Sequence, residues 1–205
     1  MSNFFKHFFG PSKRDIWQQL SAEIDGEYMD DGFFAVPKVV ARHEEWEITL
    51  DTHTVSSGKT KKTYTRIRAP YVSKNGFQFR IYRRGFLSNI GKFFGMQDIE
   101  VGYKEFDRDF IIQGNDPYKV ELLFADPILR NLLLSIERID LSVKDGSGWF
   151  ESRKTIKPID SLHFQVIGVI KDLDQLKLLF ELFAETLEQL CDIGAAYDQE
   201  PETEV

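Results

Sequence analysis

The sequence predicts an α+β fold in which an antiparallel sheet of about seven to eight strands carries helices packed on one side. Three observations lead there. Several segments alternate apolar and polar residues with period two, the pattern of half-buried strands, and turn residues separate them. The elements run helix, four strands, short helix, strand, helix pair, three strands, helix, without the strand–helix alternation of a parallel α/β sheet. At 205 residues the chain can bury one sizeable core without needing a second domain. The same order also reads as two similar units, each a helix, a meander and a closing helix, although no residue-level repeat accompanies it.

The first helix begins after Pro11, where Ser12 is placed to cap it and Asp15 stands at the third helical position. Ile16, Trp17, Leu20 and Ile24 share one face, and Gly26 is positioned to stop it. From Phe33 the chain becomes β-branched and aromatic, with a turn near His43 and Glu44. Trp46, Ile48 and Leu50 then alternate with Glu45, Glu47 and Thr49. Thr63 to Val72 and Phe77 to Arg84 read as two more strands, joined into a hairpin by Asn75-Gly76, because a tight two-residue turn needs positive φ at both positions.

Phe86, Ile90, Phe93 and Phe94 have helical spacing, and Phe106 to Gln113 reads as a strand. Asp116-Pro117 and Asp126-Pro127 each set a capping residue before a proline suited to the first helical turn. That gives two short helices, or one kinked at Pro127, as far as Ser135. Strands follow at Ile136 to Val143, Trp149 to Thr155 and Leu162 to Ile170. Asp172 with Gln175 opens the last helix, whose stripe of Leu173, Leu176, Leu179, Phe180, Phe183, Leu187 and Leu190 is wide enough to lie across a sheet. Residues 1–196 are therefore expected to form one domain, with 1–11 a Phe-rich N-terminal segment. Residues 197–205 form an acidic tail that offers nothing to bury and is expected to be mobile.

Charge is the unusual feature. Between Thr52 and Gln97 there are ten Lys or Arg and no Asp or Glu, leaving sixteen Lys or Arg against all 33 acids elsewhere. In a hairpin closed by Asn75-Gly76, Tyr71 pairs with Arg80 and Ala69 with Tyr82. Tyr71, Arg80 and Tyr82 then face outward while Val72, Phe79 and Ile81 face the core, with Pro70 a place where a bulge would change the side for Arg66 and Arg68. Tyr71, Arg80, Tyr82, Arg83, Arg84, Arg66 and Arg68 are the candidate binding residues, and their partner is a protein or an anionic membrane surface. The favoured reading, set against that one, is that the band pairs internally with the acid-rich remainder and that the Phe clusters are core. A net charge of -7 repels nucleic acid.

No metal-ligand spacing links His7, His43, His53 and His163, and no cofactor or metal motif occurs. No nucleophile elbow or phosphate-binding loop is present. A single cysteine, Cys191, cannot close an internal disulfide, and no apolar run is long enough to cross a membrane, so a cytoplasmic setting is expected. The clusters Phe4, Phe5, Phe8 and Phe9 with Lys6, and Phe86 to Phe94 behind Arg83-Arg84, would suit a peripheral position at the inner membrane face. As alternating strand residues, Glu105, Asp107 and Asp109 would share one face and admit a hydrolase reading; a solvated strand face opposite Phe106 and Phe110 is the favoured one.

The run from Gly102 to Ile112, with Phe106-Asp107 and Phe110, followed by Leu122, Leu123 and Leu129 to Leu134, resembles a pattern of uncharacterised bacterial domains of unknown function. That pattern reads Gly-Asp-x-x-Phe-Asp-x-x-Phe-x-Val before a helix; Tyr103 stands here in place of its first Asp. The resemblance spans residues 102–134 and implies a bacterial domain without implying an activity. A non-enzymatic binding or scaffolding domain is the leading expectation, ahead of a peripheral membrane protein and a hydrolase.

Overall fold

The computed structural model describes residues 11–30, 36–85, 97–145 and 158–201. The expected Phe-rich segments at 4–9 and 86–94, and the expected strand at 149–155, lie outside them. The described elements are α1 (Lys13–Glu23), β1 (Glu27–Met29), β2 (Lys38–His43), β3 (Trp46–Ser57), β4 (Thr60–Val72), β5 (Phe79–Arg83), α2 (Lys104–Asp109), β6 (Phe110–Gly114), α3 (Pro117–Leu123), α4 (Pro127–Ser135), β7 (Asp140–Asp145), β8 (Ile159–Ile167) and α5 (Leu173–Asp192). All eight strands join one antiparallel sheet in the order β1-β2-β3-β4-β8-β7-β5-β6. The first four strands form a consecutive meander and the last four a differently ordered block, meeting where β4 pairs with β8.

Register carries one row of residues across the sheet on each face. On the first face Val39, Leu50, Ile67, Phe164, Leu141, Ile81 and Ile112 follow one another, all buried. On the other run Val40, Thr49, Arg68, His163, Ser142, Arg80 and Gln113. Because side chains alternate strictly along each strand, one face is apolar along the whole row and the other polar from Thr49 to Gln113. The apolar face forms a single core with Trp17 and Leu20 of α1, Leu129 and Leu133 of α4, and Leu176, Leu179, Phe183, Leu187 and Leu190 of α5.

The helix ends follow the capping logic. Ser12 Oγ accepts from the Asp15 N–H at 3.2 Å while Asp15 Oδ2 accepts from the Ser12 N–H at 3.1 Å, a reciprocal capping box. Asp116, Asp126 and Asp172 cap α3, α4 and α5 through the backbone N–H groups of Lys119, Leu129 and Gln175. After α1 it is Asp25, at φ 53°, that takes the left-handed conformation expected of Gly26. Gly26 serves another need, since a Cβ there would lie 2.7 Å from the Val40 carbonyl oxygen. Gly26→Ala is expected to destabilise the fold by about 1–3 kcal/mol, read as a lower urea midpoint, because the strand it meets is backbone and cannot yield cheaply.

Two expectations fail for physical reasons. β4 and β5 do not pair, because β8 and β7 stand between them. Gly76 takes φ 65° but Asn75 does not take positive φ, so the tight turn is not made. The loop is instead held by Ser73 N–H to Pro158 O, Lys74 N–H to Ala195 O and Asn75 Nδ2 to Gly194 O, which steer the chain past the end of the sheet. No bulge forms at Pro70: β4–β8 register is continuous from Thr65 to Val72, and β3 pairing ends at Arg68, so the missing N–H falls where no ladder needs it. The second failure is 106–113, which is helix α2 followed by β6. Phe106 and Phe110 lie four apart, a helical interval, and pack with ring centroids 4.7 Å apart and planes tilted by 45°. The strand expected from Ile136 begins only at Asp140, after Ile136 has ended α4.

Candidate functional site

Within the acid-free stretch Arg66, Arg68, Arg80 and Arg83 are drawn into the fold, while Lys59, Lys61, Lys62, Lys74 and Arg84 are exposed. Arg66 and Arg68, two apart on β4, point to the polar face and share Asp51, which β3 places opposite Arg66. Arg66 Nε and Nη2 donate to the two Asp51 carboxylate oxygens at 2.8 and 2.7 Å, and Arg68 Nη2 donates at 2.5 Å. Burial by itself raises the Asp51 carboxyl, but the hydrogen bonds and charges of Arg66 and Arg68 outweigh it and hold it below the usual carboxylate range. Arg80, its side chain only 5% exposed, makes the same forked contact with Asp140 at 2.8 and 2.9 Å and lies over the Tyr82 ring.

Arg83 works at a helix end. Its Nη2 donates to the carbonyls of Leu134 and Ile136 at the C-terminus of α4, where unpaired carbonyls collect, and the guanidinium covers Phe110. Arg84 is exposed and reaches the Asp107 carbonyl at 3.4 Å. Tyr71 lies on the apolar face, fully buried opposite Asp160, and burial pushes its phenol well above the ordinary value. Of the seven candidate residues, then, the polar face gathers Arg66, Arg68, Arg80 and Tyr82. Tyr71 and Arg83 belong to the packing of the core side. The expected faces hold on β5, with Arg80 and Tyr82 on one side and Phe79 and Ile81 on the other, but are reversed on β4, where Tyr71 faces the core and Val72 the polar side.

The centre of this polar face holds a residue that sequence spacing did not single out as functional. His163 sits between Arg68 and Ser142 in the row and is 7% exposed. Burial first, then the charges of Lys144, Arg66 and Arg68, lower its pKa to about 3. The ring is therefore neutral at pH 7, and its Nε2 accepts from the Lys144 ammonium at 3.2 Å. Burial also lowers the Lys144 pKa. Recognising this site needed the β4–β8–β7 register; alternation with Gln165 was the only local signal.

Beyond the body of the sheet, β3 and β4 continue as a two-stranded ribbon. β2 pairs with β3 only as far as Leu50, and β8 pairs with β4 only from Thr65 onward, yet β3 and β4 stay paired to Ser57 and Thr60. Ten consecutive residues, His53 to Lys62, are exposed. They include Lys59, Lys61 and Lys62 and no acid. Cross-strand register sets Lys62 opposite Val55 and Lys61 opposite Ser56, so the lysines project from both faces.

The carboxylates considered for catalysis do not converge. Asp107 accepts from the Val101 and Gly102 N–H groups at 2.9 and 3.0 Å, Asp109 pairs with Arg108 and Arg83, and Glu105 is exposed. These are the bonds of a helix start and a surface ion pair, formed because α2 replaces the expected strand. An open depression of about 680 Å³ beside them is lined by Arg84, Glu100, Gly102, Lys104, Asp107 and Arg108. Among the described residues no three His, Cys, Asp or Glu side chains gather as metal ligands. The Cys191 thiol is pushed up to about 11, by burial first and then by Asp198 and Asp192, which opposes thiolate chemistry. No helix among the described residues is long and apolar enough to cross a membrane.

No protein-family model and no curated protein matches the chain. Among solved structures it is similar to the mycobacterial trehalose monomycolate transport factor A, TtfA, at 9% identity and a TM-score of 0.48, over 94% of this chain and 98% of that one.

Proposed function

We propose that this chain is a non-enzymatic binding domain that holds an acidic partner through the β3–β4 ribbon. The observation that carries the reading is the exposure of His53 to Lys62, with three lysines and no acid, on a chain of net charge -7. Arg66, Arg68 and Arg80 are taken up by Asp51 and Asp140, whereas Lys59, Lys61 and Lys62 stand together on the ribbon, open to solvent and to a partner. Lysine suits that role, being a mobile point charge that favours encounter without demanding one bidentate geometry. The engagement of Asp107 and Asp109 in structural bonds weighs against the hydrolase reading. The pattern at 102–134 supports placing the domain with uncharacterised bacterial domains, and the lone cysteine suits a reducing compartment.

Titration of fluorescein-labelled polyglutamate into the full chain tests this. Wild type is expected to bind with an affinity that falls as salt rises, and K59E/K61E/K62E to bind about tenfold or more weakly. Unchanged binding by the triple variant would exclude the ribbon. Salt-sensitive capture by anionic vesicles, with none of polyglutamate, would transfer the reading to a membrane surface.

A further inference from the structure

The ribbon has an open strand edge as well as a charge. Past Leu50 no described strand pairs with the outer side of β3, whereas the outer side of β4 is closed at its base by Gly168, whose N–H donates to Thr63 O at 2.8 Å and which bridges Tyr64. The free edge runs from Thr52 to Ser57, about 20 Å of extended chain at the usual rise. It contains no proline, and its register with β4 is continuous to the turn, so the backbone groups stay regularly spaced. Apart from His53 its side chains are small or β-branched, with Thr52, Thr54 and Ser56 on one face and His53 and Val55 on the other. Thr54 Oγ1 and Thr63 Oγ1, 3.0 Å apart, tie the two strands together beneath the edge.

Exposed edges are normally guarded, most often by lysine, proline or a bulge on the edge strand itself. Here the lysines stand one strand back, Lys61 and Lys62 on β4 and Lys59 at the turn, flanking both faces of any strand laid against β3. They would repel a second lysine ribbon and draw in carboxylates.

We infer that the β3 edge from Thr52 to Ser57 is a strand-addition site for an extended acidic peptide segment of a partner protein, whose backbone extends the sheet and whose carboxylates meet Lys59, Lys61 and Lys62. This inference rests on the ribbon reading above and adds the mode of recognition: main-chain hydrogen bonds supply affinity and the lysines supply selectivity. A partner segment with Asp or Glu at alternate positions presents its charges to one lysine-bearing face while its other side chains meet Thr54 or Val55.

Fluorescence anisotropy of a labelled peptide of alternating Glu and Val, titrated into the full chain, reads the site. A second peptide of the same sequence and charge, N-methylated at alternate residues along one edge, removes backbone donors alone. The first peptide is expected to bind and to slow amide hydrogen exchange at residues 52–57. The methylated peptide is expected to bind about tenfold or more weakly, and K59E/K61E/K62E to lose both. Equal affinity for the two peptides would overturn strand addition while leaving charge-driven binding by the ribbon intact. Slowed exchange only outside the ribbon would overturn the placement, and binding of neither peptide nor polyglutamate would overturn both readings.

Discussion

Replacing Asp51 by Ala is expected to cost the fold about 3 kcal/mol in urea unfolding at neutral pH. The substitution removes the carboxylate that Arg66 and Arg68 share, at a place where all three side chains are 11–17% exposed. Buried cations stripped of a shared counter-charge repel each other, and water reaches them poorly, so the loss exceeds that of a surface ion pair by several-fold. Asp51→Asn, which keeps an acceptor but not the charge, is expected to fall between Ala and wild type. Removing one arginine together with the carboxylate should cost less than the two single losses combined, because the repulsion goes with it. A loss below about 1 kcal/mol in Asp51→Ala would show that the pairing does not hold the sheet.

Acidification should destabilise the protein well above the carboxylate range, and His163 should be the cause. Its pKa is about 3 in the fold against about 6.5 in an unfolded chain, so between those values the unfolded state binds a proton that the native state refuses. Stability is then complete above pH ~6.5 and falls by about 1.4 kcal/mol for each unit below it, or about 2 kcal/mol by pH 5. The depressed carboxyl of Asp51 acts in the same direction but only lower, as pH falls through and below the ordinary carboxylate value. Protonated His163 can no longer accept from Lys144 and adds a cation beside Arg66 and Arg68. His163→Gln retains an acceptor without a titrating ring, and its unfolding free energy should be flat between pH 6.5 and 5. The wild-type slope persisting in that variant would assign the effect to another group.

How much of this could be read from the sequence depended on how local each determinant is. The caps at Ser12, Asp116, Asp126 and Asp172 rest on contacts three residues long, and the sequence shows them directly. So does the alternation of Trp46, Ile48 and Leu50, since burial of every second residue is a property of one strand. The Asn75-Gly76 turn failed because its competitor is not local: Pro158, Gly194 and Ala195, over eighty residues away along the chain, claim the backbone and side chains of the turn. The stretch 106–113 failed through ambiguity, since phenylalanines four apart satisfy both a strand face and a helix face, and packing of Phe106 against Phe124 decides for the helix. His163 was legible only as a histidine in a strand. Its chemistry comes from four strands brought side by side, a juxtaposition that a single sequence does not display.

The basic stretch shows both outcomes together. Internal pairing and an exposed cationic surface stood as alternatives for one run of residues, and the fold realises each for a different part. Arg66, Arg68, Arg80 and Arg83 lie within the eight-stranded body, where guanidinium forks can be satisfied by carboxylates and carbonyls. Lys59, Lys61 and Lys62 lie where β3 and β4 have outrun their neighbours. The length of two strands relative to the rest of the sheet therefore separates folding charges from contact charges.

That separation is tested most directly by the urea unfolding free energy of K59E/K61E/K62E at neutral pH. If the ribbon lysines serve contact alone, reversing all three leaves stability within about 0.5 kcal/mol of wild type, as expected for exposed positions without structural partners. A loss of 2 kcal/mol or more would mean that these lysines help hold the sheet, and would contradict the division on which the proposed function stands.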